Sequence, residues 1–151
     1  MFWKTYGPVV GWMFVVGVVA AGLFLFAVFA WLIPPDRGEE SALVLMPVYG
    51  GFFGALTAAA ASALYVVSLM LWTRGARRSI ASRVWLGALS SGVGALAFWV
   101  ILGFILSGAS GLPVWSSIGA GSALLATLTA GVFTARASRR ADVEERRSTG
   151  S

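Results

Sequence analysis

The side chains of this sequence that could do chemistry are mainly hydroxyls, because its 151 residues include no histidine and no cysteine. Histidine is the commonest general base and metal ligand near neutral pH, and a cysteine thiolate is a common nucleophile and ligand. An enzyme would have to activate Ser, Thr or Tyr without either of them. We therefore expect that the chain is not an enzyme and that it uses no metal and no cofactor.

Two pairs of hydroxyls have spacings that place both members on one face of a helix. Thr57 and Ser68 lie eleven residues apart and Ser122 and Thr129 lie seven apart, close to whole turns of about 3.6 residues. Such side chains could line a narrow polar pathway between helices. Hydroxyls in apolar helices more often bond the carbonyls of their own helix or a neighbouring one. The spacing leaves both interpretations open.

The composition indicates an integral membrane protein. Hydrophobic residues make up 58% of the chain and charged residues only 11%, whereas soluble domains average about 25% charged. The net charge of +5 does not indicate a nucleic-acid partner, because the basic residues flank the apolar runs. We expect these charges to face membrane lipids instead.

The apolar runs predict an all-α fold with four transmembrane helices in a bundle. An apolar stretch longer than about 18 residues can span a bilayer, and four such stretches cover about 8–33, 47–72, 84–106 and 113–134. The second helix either starts at Pro47 or starts near Ser41 and is kinked at Pro47. Between Arg83 and Arg136 there is no charge, and a Gly- and Pro-containing turn at 107–113 divides this run into two helices.

The domain prediction is a transmembrane unit at 1–140 followed by a cytoplasmic, disordered tail at 141–151. A cleaved signal peptide is the competing interpretation of the first apolar run. We disfavour it, because that run is much longer than the usual core of about 7–15 residues.

Arginines determine the predicted orientation. They cluster after the second and fourth apolar runs, whereas the loop 34–40 has three acids and one arginine. Because cytoplasmic loops are rich in Lys and Arg, both termini should be cytoplasmic in a cell inner (plasma) membrane. The preference for arginine and the Ala and Gly content suggest a bacterial source. The predicted membrane-surface residues are Arg74, Arg77, Arg78, Arg83, Arg136, Arg139 and Arg140.

The second and fourth runs also resemble each other. Each opens on Pro-Val-aromatic, at Pro47 and Pro113, continues with small residues and closes on an arginine cluster. This pattern is consistent with a tandem repeat of two helical hairpins. Chance similarity between Ala- and Gly-rich spans is the alternative.

Small residues four apart are the commonest pattern within the predicted spans. In lipid they allow helix backbones to approach closely, so that dispersion and weak hydrogen bonds hold the helices together. The predicted helix-packing residues are Gly7, Gly11, Gly50, Gly54, Ser117 and Gly121.

No Asp, Glu, Lys or Arg lies inside any predicted span, which argues against a proton-coupled pump. The sequence therefore favours a non-enzymatic accessory or scaffold subunit that packs against itself or a larger membrane partner. The alternative is a small uncoupled channel or permease lined by Ser and Thr of the second and fourth spans.

Overall fold

A computed structural model describes residues 2–32, 41–73 and 79–149. Within these residues all regular secondary structure is helical, as the sequence predicts. Helix α1 covers Phe2–Ala27 and continues as a π-helix over Val28–Leu32, α2 covers Ser41–Thr73, and α3 covers Ile80–Thr149. The loop 34–40 and the arginines Arg74, Arg77 and Arg78 lie outside the described residues.

All three helices are long and apolar enough to cross a membrane. The apolar segments are Tyr6–Trp31, Leu43–Trp72 and Ala81–Arg140, and the most apolar 18-residue stretches within them have mean hydropathies of 2.7, 1.8 and 2.1. Helix α2 begins at Ser41 and contains Pro47. Of the two predicted starting points, the observed one is therefore the earlier. The length and apolar character of these helices indicate a membrane protein.

Helix α3 reverses direction at Gly108, whose φ of 61° and ψ of −156° are not helical. The Ser91 hydroxyl lies 3.2 Å from the Ala126 carbonyl oxygen, 35 residues away, whereas a straight helix would separate the two by about 50 Å. We call residues 80–107 the N-arm of α3 and residues 109–149 its C-arm.

The reversal bears on two features of the prediction. We predicted four helices; the described residues form three, and α3 consists of two helical arms that meet at the kink at Gly108 and contain the predicted spans 84–106 and 113–134. We also predicted a loop at 107–113, but these residues are helical apart from the conformation of Gly108. Only glycine readily adopts such a combination of φ and ψ, so one residue turns the chain without a loop.

The core lies between α2 and the two arms of α3, and the first part of α1 contributes to it. Tyr65 and Leu69 of α2, Ala95 of the N-arm and Ala130 of the C-arm are completely buried. Helix α1 adds the buried side chains of Tyr6, Val9 and Met13 to this core. In the most apolar 18-residue stretch of α1, in contrast, only 6% of the residues are buried. This stretch therefore presents apolar side chains to its surroundings, as a helix at the edge of a membrane bundle does.

Helix α3 continues through residues 141–149. The disorder predicted for the cytoplasmic tail 141–151 stays a prediction. The tandem repeat of two hairpins also stays a prediction.

Candidate functional site

The most buried polar contact joins α2 to the C-arm of α3. The Tyr65 hydroxyl and the Thr134 Oγ1 lie 2.8 Å apart, and both residues are 0% exposed. A Cβ added to Gly87 of the N-arm would lie 2.7 Å from Cε2 of Tyr65. Glycine at position 87 therefore makes room for the tyrosine ring between the arms.

Two further buried hydroxyls link other helix pairs. Ser91 Oγ donates toward the Ala88 carbonyl at 2.8 Å and lies 3.2 Å from the Ala126 carbonyl on the C-arm. Ser62 Oγ of α2 lies 3.9 Å from the sulfur of Met13 on α1. Together with Tyr65 and Thr134, they are the interhelical hydroxyls: Ser62, Tyr65, Ser91 and Thr134.

None of the predicted pathway residues is among these interhelical hydroxyls. Thr57 Oγ1 donates to the Phe53 carbonyl at 2.8 Å, and Thr129 Oγ1 donates to the Leu125 carbonyl at 2.7 Å. Each bond runs back four residues within one helix. Ser68 and Ser122 are half-buried. The hydroxyl spacing revealed helix faces, but it could not reveal which hydroxyls meet across helices.

Two of the predicted packing glycines lie where α2 crosses α1. A Cβ on Gly50 would lie 2.5 Å from the Ala21 carbonyl oxygen, and one on Gly54 would collide with the Gly17 carbonyl. Conversely, a Cβ on Gly17 would lie 3.0 Å from the Gly54 carbonyl oxygen. The backbones of α1 and α2 approach so closely that only glycine fits at these points.

The other four predicted packing residues have different surroundings. A Cβ on Gly11 or Gly121 would meet nothing within 4 Å, and one on Gly7 would meet only Trp3 of its own helix, at 3.9 Å. Ser117 is exposed, and its hydroxyl donates to the Pro113 carbonyl at 2.7 Å. These four residues do not contribute to close packing within the described chain.

An aromatic cluster fills the bundle near Gly108. Trp99 and Trp115 stack with ring centroids 5.8 Å apart, and Phe53 of α2 lies 6.0 Å from Trp99. Trp115 Nε1 donates to Ser107 Oγ at 3.0 Å, which ties the two arms together across the reversal. We did not predict this cluster, although the two tryptophans flank the predicted turn.

Two described polar atoms are buried without a hydrogen-bond partner: Trp99 Nε1 and Ser138 Oγ. Ser138 is 3% exposed and follows Thr134 by one turn on the buried face of the C-arm. A buried hydroxyl without a partner costs about 1–3 kcal/mol. The aromatic end and the opposite end of the bundle thus each contain one unpaired polar atom.

The described arginines lie at the end of the bundle opposite Gly108. Arg136, Arg139 and Arg140 are exposed and Arg83 is half-buried. The Arg136 guanidinium carbon lies 5.7 Å from the centre of the Phe133 ring. Phe133 in turn stacks on Trp12 of α1, with centroids 5.2 Å apart and an interplanar angle of 7°.

Neither metal-ligating side chains nor similarity to known proteins indicates an activity. Among the residues that the structure describes, no group of three or more His, Cys, Asp or Glu side chains could hold a metal ion. No family model, curated protein or solved structure matches the chain.

Proposed function

We propose that the protein is a non-enzymatic scaffold or accessory subunit of a membrane, which acts through helix–helix packing. One observation carries the proposal: the buried hydroxyls of the predicted pathway, Thr57 and Thr129, donate to carbonyls of their own helices. A hydroxyl that donates in this way has committed its one O–H to its own helix and cannot donate it to a solute. The interior beside Thr134 is filled by Tyr65, which is 0% exposed.

The proposed topology has four membrane crossings. The apolar segment Ala81–Arg140 is 60 residues long, about three times what one crossing needs. Its reversal at Gly108 supports counting the two arms as separate crossings. With the arginine end in the cytoplasm, both termini are cytoplasmic and the membrane is the inner (plasma) membrane.

Reporter fusions test this topology. A fusion after Ser151 should report the cytoplasm, and one inserted next to Gly108 should report the opposite side. The matched control is a fusion after Arg83, which should agree with the fusion after Ser151. A non-cytoplasmic signal from the C-terminal fusion would contradict the proposed orientation.

The experiment that tests the function replaces Thr57, Ser68, Ser122 and Thr129 together with alanine. In a scaffold each hydroxyl contributes only about 0.6 kcal/mol, so the variant should remain folded and keep the same partners in a mild-detergent pull-down. Wild-type protein in liposomes should show no flux of ions or small solutes. Wild-type flux that disappears in the quadruple variant, with helical content unchanged, would support the channel hypothesis and contradict the scaffold hypothesis.

A further inference from the structure

The boundary between α1 and the C-arm of α3 combines a cation with a stack of aromatic rings. Trp12 stacks on Phe133, and the guanidinium carbon of Arg136 lies over the Phe133 ring, 5.7 Å from its centre. Trp12 is 50% exposed, and Arg136 is exposed as well. The rings hold the guanidinium by a cation–π contact while leaving its N–H groups free to bind outward.

Further arginines stand on the same side of the C-arm. Arg140 follows Arg136 by four residues and Arg139 follows it by three, so both neighbour Arg136 on the helix surface. Both are exposed, and no acidic residue occurs between 136 and 140. The nearest acidic residues in the chain are Asp142, three residues after Arg139, and Glu144, four residues after Arg140. Three cations are thus concentrated within about one turn at the edge of the apolar region.

Apolar surface continues from this cation group toward the membrane interior. Val19 lies seven residues after Trp12, on the same face of α1, and it is 53% exposed. On the C-arm, Val132 is 47% exposed beside Phe133. The surface therefore has a cationic end and an apolar continuation, which is the polarity of a phospholipid.

We propose that this surface, formed by Trp12, Phe133, Arg136, Arg139 and Arg140, binds an anionic phospholipid. The phosphate accepts hydrogen bonds from the guanidinium groups, and an acyl chain lies along Trp12 and the apolar face beyond it. Charge complementarity selects this occupant, because a zwitterionic lipid brings its own cation to the arginine group. The inference rests on the proposed function only in requiring a bilayer, and it does not depend on any protein partner.

Lipid titration of the full chain in a neutral detergent tests the site. Phosphatidylglycerol and phosphatidylcholine with identical acyl chains are added separately, and retained lipid is counted by native mass spectrometry. The wild type should retain phosphatidylglycerol at least about fivefold more tightly than phosphatidylcholine, which corresponds to about 1 kcal/mol for one basic contact. Equal retention of the two lipids would overturn the proposal.

Two variants separate this site from a general effect of positive charge. Arg136→Gln should weaken retention of phosphatidylglycerol about fivefold, whereas Arg83→Gln, at the same end on the other arm, should change it less than twofold. Phe133→Leu should weaken it about two- to fivefold through loss of the aromatic support. Equal losses in Arg136→Gln and Arg83→Gln would overturn a specific site.

Two further measurements keep the proposal falsifiable. If Arg136→Gln does not yield folded protein, Arg136→Lys retains the charge and should weaken lipid retention by a smaller factor, because it loses the planar contact with the ring. Glycerol phosphate without acyl chains should not compete with the lipid. Full competition by glycerol phosphate, or a change of oligomeric state in Arg136→Gln without any change in lipid retention, would overturn the proposal.

Discussion

Two glycine pairs with identical spacing have opposite environments in this protein. Gly50 and Gly54 of α2 face the backbone of α1 so closely that a Cβ at either position would meet a carbonyl oxygen. A Cβ on Gly11 of α1 would meet nothing within 4 Å, and one on Gly7 would meet only Trp3. The spacing of four residues therefore identifies a flat helix face, but not whether another helix occupies it.

The difference follows from which part of α1 meets α2. The crossing includes Gly17 and Gly22, whose added Cβ atoms would lie 3.0 Å from the Gly54 carbonyl oxygen and 3.1 Å from the Pro47 carbonyl oxygen. Gly11 lies six residues before Gly17, about 9 Å along α1, and a Cβ added there would meet no neighbouring atom within 4 Å. Close packing thus needs small residues on both partners at matching heights.

Of the substitutions that test this comparison, Gly54→Ile should reduce the stability of the protein most. The atoms that obstruct a side chain at position 54 belong to the Gly17 backbone and the Ala21 Cβ, 2.9 Å away. Backbone cannot move aside as a side chain can, so we expect a loss of about 3 kcal/mol, the upper end for overpacking. The measurement is the thermal midpoint and the yield of monodisperse protein in detergent.

Leu71→Ile is the matched control for Gly54→Ile. Leu71 is 64% exposed near the end of α2, so this change should leave yield and midpoint close to wild type. Equal yields of the two variants would mean that the contact between α1 and α2 at Gly54 does not hold the bundle together.

Gly108→Ala should have the second largest effect. Its φ of 61° and ψ of −156° lie in a region that a residue with a Cβ enters at a cost of about 1–3 kcal/mol. The cost is conformational, because a Cβ at position 108 would meet no atom within 4 Å. Gly121→Ala, in a regular helix with equally open space, should be neutral or slightly stabilising. Similar thermal midpoints for both alanine variants would contradict the assigned strain.

Tyr65→Phe should have a smaller effect. The variant keeps the buried ring and removes only the hydroxyl that lies 2.8 Å from Thr134 Oγ1. Hydrogen bonds between membrane helices average about 0.6 kcal/mol, so we expect a loss of that size. Combining Tyr65→Phe with Thr134→Val in a double-mutant cycle measures the pairing directly. Strictly additive losses would mean that the two hydroxyls do not interact.

Gly11→Ile should have the smallest effect and completes the comparison with Gly54→Ile. The open space around position 11 accommodates the larger side chain, so stability should change by less than about 0.5 kcal/mol. The same thermal and yield measurements apply. A loss comparable to that of Gly54→Ile would reveal a partner on this face of α1, either a second copy or another membrane protein.

The amino-acid sequence alone determined the class of this protein and the approximate positions of its helices. Hydropathy acts locally: a stretch such as 47–72 must satisfy its backbone hydrogen bonds internally wherever it lies in a bilayer. For this reason the predicted helical class and apolar segments agree with α1, α2 and the arms of α3. The charge pattern around Arg83 and Arg136 is equally local and supports the proposed orientation.

Only the tertiary structure decided which side chains meet. Sequence spacing gives no indication that Tyr65 meets Thr134, because their contact joins residues 69 apart in the chain. Likewise, Gly50 and Gly11 cannot be distinguished by spacing, because the packing of one helix depends on the face that another helix presents. The sequence predicted a loop at 107–113 where the structure turns at Gly108 alone. The stacking of Trp99 on Trp115, which packs the two arms against each other, is a contact between separate helical segments, and the local sequence pattern does not show it.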